Sequence, residues 1–220
     1  MIYTENILIC LAMPMIAALF VLRGAARRFT GFLLTGMACS LLSAYCNTFL
    51  SAAFRLDAFD AVVKLTPICE ETIKMLPILF YLLLVSPERG RILPAAAAVG
   101  IGFATFENCC YIVQYGAADT LFLLLRGSAV GTLHMMTSAI LGSGLAYSVY
   151  KRPYRSFVSV FGLWCLSSSI HAIYNLLVAS EGVRQYVGYL MPIFIFLVYL
   201  FVKMAAEKSS RRPEPVPSCK

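Results

Sequence analysis

The sequence predicts an all-α membrane protein, a polytopic bundle of about seven transmembrane helices in a single domain. Of its 220 residues, 60% are hydrophobic and 13% are charged, and the mean hydropathy is +0.79. An ordinary soluble domain has about 45–50% apolar and about 25% charged residues, so this chain has too few charges to cover a surface in water. Two patterns specify the class further: the lengths of the apolar runs and the positions of the cations between them.

Seven apolar runs have the length of about 17–25 residues that a helix needs to cross the hydrocarbon core of a membrane. The runs cover residues 6–22, 31–53, 65–85, 92–114, 121–149, 157–179 and 186–204. No basic residue precedes the first run, which is therefore expected to stay in the protein as a span and not to be a cleaved signal peptide. Residues 1–204 form one predicted transmembrane domain, and the polar, proline-containing segment 205–220 is predicted to be a disordered cytoplasmic tail.

Loops rich in cations alternate along the chain with loops that have few, so most of the cations fall on one side of the membrane. Loops 23–30, 86–91 and 150–156, together with the C-terminal end, contain 13 of the 18 Lys and Arg residues. The positive-inside rule assigns these segments to the cytoplasm, so the N-terminus is expected outside and the C-terminus inside. This pattern explains the net charge of +7, and no motif predicts a nucleic acid as a partner.

Six ionisable residues lie inside the predicted spans, where each costs about 2.5–3.5 kcal/mol at the centre and therefore indicates function. They are Glu70, Glu71 and Lys74 in the third span, Glu107 in the fourth, His134 in the fifth and His171 in the sixth. At a rise of about 1.5 Å per residue, Glu70, Glu107 and His171 lie about 8–12 Å from the outer ends of their spans, and His134 lies about 12 Å from Arg126, so the four helices place these groups at one level. Arg126, at the outer end of the fifth span, can reach the same level.

The spacing of these residues predicts which side chains meet. Residues four apart share a helical face, which pairs Glu70 with Lys74, Phe103 with Glu107, and His171 with Asn175. Adjacent residues point about 100° apart, so Glu70 and Glu71 cannot have the same role. One of them is expected to face the reacting water, while the other holds Lys74 or Arg126.

Two kinds of hydrolytic chemistry fit these groups. In the first, a divalent metal such as zinc is bound by a set drawn from Glu71, Glu107, His134 and His171, and it activates a water. In the second, no metal takes part; a Glu deprotonates the water, and His171 with Asn175 donates hydrogen bonds to the oxyanion. The same Glu and His residues could instead relay protons in a transporter or channel, or belong to a scaffold that binds without catalysis.

Four motifs occur in order on successive spans: CEETIK with Glu70, Glu71 and Lys74; FATFEN with Phe103 and Glu107; RGSAVGTLH with Arg126 and His134; and HAIYN with His171 and Asn175. Over residues 65–180 this series resembles the PrsW family of bacterial intramembrane proteases. That family is related to the CAAX-processing and bacteriocin-processing membrane proteases.

The resemblance implies peptide-bond hydrolysis in a bacterial cell membrane, typically the first (site-1) cut of a membrane-anchored anti-sigma factor near its extracytoplasmic face. It implies Glu70, Glu71, Glu107, His134, His171 and Asn175 as catalytic residues, with Lys74, Arg126 and Phe103 in support. The sequence departs from the family at Asn175, where many members are expected to have Asp. An amide cannot be an anionic ligand or a base, so the departure favours an oxyanion role for this residue. The oligomeric state is not predicted.

Overall fold

The computed structural model describes residues 3–85, 88–116, 119–149 and 153–210, and all the regular structure within these ranges is helical. Seven helices follow the predicted runs closely. They are α1 (Thr4–Val21), α2 (Gly24–Phe54), α3 (Thr66–Phe80), α4 (Ile92–Tyr115), α5 (Thr120–Val149), α6 (Pro153–Val178) and α7 (Val183–Ser210). The prediction of an all-α, multi-span protein is confirmed.

The third predicted span, residues 65–85, is not a uniform α-helix. A turn at Ala58–Asp60 leads into a π-helical segment, Ala61–Leu65, which precedes α3, and a second π-helical segment, Tyr81–Val85, follows it. The other six helices are long and apolar enough to cross a membrane. Helix α3 is shorter and bears three buried charges, so length and hydropathy alone do not identify it.

Helices α2, α4 and α5 form the centre of the bundle, and glycines permit their close approach. A Cβ atom added to Gly36 of α2 would overlap the backbone of Val99 on α4. A Cβ atom added to Gly100 of α4 would overlap the carbonyl of His134 on α5. These contacts bring the α4 backbone against the α5 turn that carries His134. Small residues therefore serve here the purpose expected of them in a membrane bundle.

The outer helices expose apolar side chains where a soluble protein would expose polar ones. Helix α1 has no buried residue, and Phe20 near its end is 85% exposed. Leu84 and Phe201 are also largely exposed. Contiguous apolar surface of this extent is expected to contact lipid.

The C-terminal segment begins as a helix. Backbone of α7 continues through residues 205–210, the first part of the predicted tail, and ends at Ser210. Residues 211–220, which make up the rest of that predicted tail, lie outside the described residues.

Candidate active site

A buried ion pair on α3 forms the base of the site. Lys74 Nζ lies 2.7 Å from Glu71 Oε1, and both side chains are fully buried. Thr137 of α5 completes a triangle, since Lys74 donates to Thr137 Oγ1 (3.1 Å) and Thr137 donates to Glu71 Oε1 (3.2 Å). A buried pair of charges is tolerated only with such additional hydrogen bonds.

The ammonium group of Lys74 determines the tautomer of His134. Its third contact is with His134 Nδ1, at 2.9 Å. An ammonium group has only donors, so Nδ1 of His134 accepts and the ring proton is on Nε2. That proton points to Glu107 Oε2, 2.7 Å away. His134 thus links the Lys74 cluster on α3 to the carboxylate on α4.

His171 has the opposite orientation of its ring nitrogens. Its Nδ1 lies 2.9 Å from Glu71 Oε1, an atom that can only accept, so Nδ1 carries the proton. Nε2 is then left with its lone pair. A carboxylate behind a histidine in this way fixes the ring and is the usual support of a metal-ligating histidine.

Glu70 faces the space between the two imidazole rings. Its Oε2 atom lies 3.9 Å from His171 Nε2 and 4.0 Å from His134 Nε2, and the rings stand perpendicular with centroids 5.0 Å apart. Oε2 of Glu70 is buried and has no hydrogen-bond partner among the described residues. Glu70, His134 and His171 each offer a ligand atom within 4.8 Å of the others, so they could hold a metal ion.

Arg126 holds Glu107 at the rim of the site. Its Nη2 lies 3.3 Å from Glu107 Oε1, its Nη1 bonds the side-chain oxygen of Asn108, and its guanidinium stacks on Tyr111, 3.6 Å from the ring centroid. Arginine is therefore the charge partner of Glu107, as Lys74 is of Glu71. Two cations face three carboxylates, which leaves the charge of Glu70 without a cationic partner.

Phe103 forms an apolar wall behind these groups. Its ring is fully buried, with its centroid 4.8 Å from that of His134 and 5.2 Å from Lys74 Nζ. On its other side the ring belongs to a buried apolar cluster with Cys39 of α2 and with Cys69 and Ile73 of α3. An aromatic face next to an ammonium group also contributes a cation–π attraction.

The structure brings together nearly all of the residues singled out in the sequence, from four helices: Glu70, Glu71, Lys74, Phe103, Glu107, Arg126, His134 and His171. Asn175 is the exception, because its amide donates to the backbone carbonyl of Val62 at 2.9 Å. One of the two amide N–H donors of Asn175 thus bonds the backbone. The group that could hold a metal contains Glu70, which the predicted ligand set left out, and lacks Glu71 and Glu107, which that set included. Glu71 Oε1 accepts from three donors, and Glu107 bonds His134 and Arg126.

Two residues of the site were not singled out in the sequence. Thr137 is one helical turn after His134, and Asn108 directly follows Glu107. Polar residues one turn from an intramembrane ionisable residue, or next to it, are the signal that could have identified them. Hydroxyl and amide groups are common in membrane helices, however, so their presence alone does not indicate a site.

Comparison with known proteins gives two bacterial relatives and one family. The chain is 27% identical to a protein named Protease PrsW from Shouchella clausii (strain KSM-K16), over 52% of this chain and 50% of the relative. It is 30% identical to Protease PrsW from Geobacillus kaustophilus (strain HTA426), over 57% of this chain and 53% of that relative. The match therefore spans about half the length of either relative, and no solved structure matches the chain.

The family model "PrsW family intramembrane metalloprotease" matches residues 16–202, which include all seven helices in whole or in part. This match extends beyond the motif-bearing region at both ends. Together with the six helices that are long and apolar enough to cross a membrane, the match identifies the chain as a multi-pass membrane protein. The chain belongs to the PrsW family of intramembrane metalloproteases.

Proposed function

We propose that this chain is an endopeptidase that hydrolyses a peptide bond of a membrane-anchored protein, with residues 1–204 as its single transmembrane domain. One observation carries the proposal. A buried carboxylate oxygen of Glu70, without a hydrogen-bond partner among the described residues, faces Nε2 of both His134 and His171. A buried charge without a partner is costly, so this arrangement favours a bound cation or a reacting water at that point.

The donor set fits a divalent metal such as zinc. Glu70 Oε2 and His171 Nε2 have lone pairs directed at the same space, and Glu71 supports His171 from behind. His134 Nε2 belongs to the same group, but it would be a ligand only with the ring proton on Nδ1, so metal binding there would require Lys74 to give a proton to Nδ1 and Nε2 to release its own. A bound metal of this kind supplies Lewis-acid activation of a water and of the scissile carbonyl.

The remaining groups have separate roles in this proposal. Glu107 is the general base, since Oε2 lies next to the metal group while Arg126 holds its other oxygen. Its geometry lets it accept a proton from the attacking water and return it to the leaving amine. Glu71, Lys74 and Thr137 do not touch the substrate; they orient the two histidines. Phe103 excludes water from that cluster.

The predicted topology supports a membrane face for the cleavage, and the family resemblance supports a class of substrate. Glu70, Glu107 and His171 lie about 8–12 Å from the span ends that the positive-inside rule assigns to the outside, and His134 lies about 12 Å along its helix from Arg126. We infer cleavage near the extracytoplasmic face of a bacterial cell membrane. The family resemblance favours a membrane-anchored anti-sigma factor, cut at site 1. Hydrolysis is favoured over proton-coupled transport because the family match covers the whole set of site-bearing helices.

The test compares new protein N-termini, by mass spectrometry, in membranes with the wild-type chain and with Glu70→Gln. Glu5→Gln, a change at a half-buried carboxylate of α1 outside the site, is the matched control. New termini are expected with wild type and Glu5→Gln and not with Glu70→Gln. If all three membranes give the same termini while the proteins are present and folded, the proposal fails.

A second experiment addresses the metal. Treatment of the purified protein with a strong zinc chelator is expected to abolish cleavage, and added zinc is expected to restore it. Zinc content, measured by elemental analysis, should fall in His171→Gln and remain in the Glu5→Gln control. A fully active protein without metal would favour the alternative in which Glu107 and the histidines act alone.

A further inference from the structure

Helix α3, which carries Glu70, Glu71 and Lys74, has a proline on either side of these residues. Proline has no backbone N–H, so it leaves one carbonyl of the preceding turn without its helical donor. In a membrane, such a carbonyl must find another donor, and neighbouring helices usually supply it. The two freed carbonyls, one in α3 and one in the π-helical segment before it, can therefore be followed to the side chains that satisfy them.

Pro77 frees the carbonyl of Ile73, four residues earlier, on the C-terminal side of the acidic pair. The thiol of Cys39, on α2, donates to this carbonyl with a sulfur–oxygen distance of 3.7 Å. Cys39 and Ile73 are both buried. The proline-freed acceptor is thus satisfied by another helix.

Pro67 has the same effect on the N-terminal side, at the end of the π-helical segment. The N–H of Thr66, which an α-helix would direct at the carbonyl of Val62, bonds the carbonyl of Ala61 instead. Pro67 has no N–H to offer. The amide of Asn175, on α6, takes this position and donates to Val62 at 2.9 Å.

The two donors come from different helices, and their acceptors lie on opposite sides of the acidic pair along the chain, one in the π-helical segment before α3 and one in α3 itself. On α6, Asn175 is one turn from His171, which bonds Glu71. On α2, Cys39 contacts the residue immediately before Lys74. A shift of either contact would move Glu70 relative to the two histidines, where changes of about 1 Å affect ligation and catalysis strongly.

We propose that Asn175 and Cys39 are positioning residues, which hold α3 and the π-helical segment before it by two proline-freed carbonyls and so fix Glu70 and Glu71 against His134 and His171. This inference rests on the proposed function only in assuming that the acidic pair acts in the reaction. It gives Asn175 a role other than that of oxyanion donor.

The test for Asn175 is a double-mutant cycle with Pro67→Ala, which restores a backbone N–H near the carbonyl of Val62. Asn175→Leu is expected to lower kcat and zinc affinity by about fivefold, the effect of one hydrogen bond. In the Pro67→Ala background the same change is expected to have little effect. Equal losses in both backgrounds would overturn the inference, because an oxyanion donor acts independently of Pro67.

The test for Cys39 has the same form. Cys39→Val keeps the shape of the side chain but cannot donate a hydrogen bond. The decrease in kcat and zinc affinity that it causes should be largely absent in the Pro77→Ala background. Cys165→Val, at a half-buried cysteine of α6, is the control and should leave all values unchanged. If Cys39→Val and Cys165→Val behave alike, Cys39 has no positioning role.

Zinc affinity separates positioning from a purely structural role, which would change only the unfolding midpoint, and from an oxyanion role, which would change only kcat. Hydrogen exchange of residues 61–73 provides a measurement that needs neither activity nor metal. Faster exchange there in Asn175→Leu, reversed by Pro67→Ala, would support the inference even if no peptide were cleaved. Unchanged exchange in this segment would contradict it, whatever the activity assays show.

Discussion

Glu70 and Glu71 are adjacent in the sequence, but their surroundings differ, so mutation of Glu71 is expected to change stability and mutation of Glu70 to change activity. Glu71 neutralises Lys74 inside the bundle, and its Oε1 accepts from three donors. Glu71→Gln should therefore lower the free energy of unfolding by about 3–5 kcal/mol, as expected when one partner of a buried ion pair is removed. Denaturation of the purified protein in detergent measures this change.

Glu70→Gln is the contrasting change at the same helix turn. Because Glu70 has no cationic partner, the substitution should preserve the stability of the fold and lower cleavage by about 100-fold or more. Denaturation and cleavage measured on the same preparation separate the two effects. A protein that is stable and fully active with Gln at position 70 would remove Glu70 from the site.

Thr137 provides a residue-level test of the positioning cluster. Thr137→Val keeps the shape of the side chain but removes an acceptor from Lys74 and a donor from Glu71. The expected loss is about 1–3 kcal/mol of unfolding free energy, since buried polar atoms are left without a partner. Thr137→Ser, which keeps the hydroxyl, should lose much less, and equal losses for both variants would show that the methyl group matters more than the bonds.

For individual residues, the sequence predicts which side chains cost free energy in a membrane, but not which atoms form hydrogen bonds or ion pairs with one another. That Glu70 and Glu71 must differ follows from helix geometry. Which of them reaches Lys74 depends on how α3 is rotated against α5, and that rotation is set by packing. Asn175 was expected in the chemistry because it shares a face with His171, yet its partner is a carbonyl freed by a π-helical segment.

At the scale of elements, two glycines of the central helices differ in what surrounds them. An added Cβ at Gly100 would overlap the backbone of His134, whereas nothing lies within 4 Å of one added at Gly131. Gly100→Ala should push α5 away from α4 and lower the unfolding free energy by about 1–3 kcal/mol or more, with loss of cleavage. Gly131→Ala is the matched control and should be neutral or stabilising, because Ala favours helix over Gly.

The apolar runs predicted the helices well because hydropathy depends on local composition. They could not predict that the third span divides into an α-helix between two π-helical segments. Pro67 and Pro77 lie within α3, and the donors to the carbonyls that they free come from α2 and α6, which are far away in the sequence. Helix α3, which carries the largest number of the ionisable site residues, is thus also the helix whose secondary structure is predicted least well from the sequence.

For the whole molecule, the distribution of Lys and Arg predicts the orientation in the membrane. Alkaline phosphatase fused after Asp119 or Gly182 should be active, because these loops are expected outside, and fusion after Glu88 should be inactive. A green fluorescent protein fused after Ser210 should fluoresce, as it does when it folds in the cytoplasm. The reverse pattern would place the site in the cytoplasmic half of the membrane and exclude extracytoplasmic cleavage.

Trp164 is the single tryptophan of the chain, and its indole N–H bonds the hydroxyl of Thr72 at 3.1 Å. Thr72 directly follows Glu71, so the indole joins α6 to the helix that bears the acidic pair. The emission of this one fluorophore therefore reports, without any label, on whether α6 and α3 remain together. Substrate or metal binding that moves these helices apart should appear as a change in the emission wavelength, in the unmodified protein and in real time.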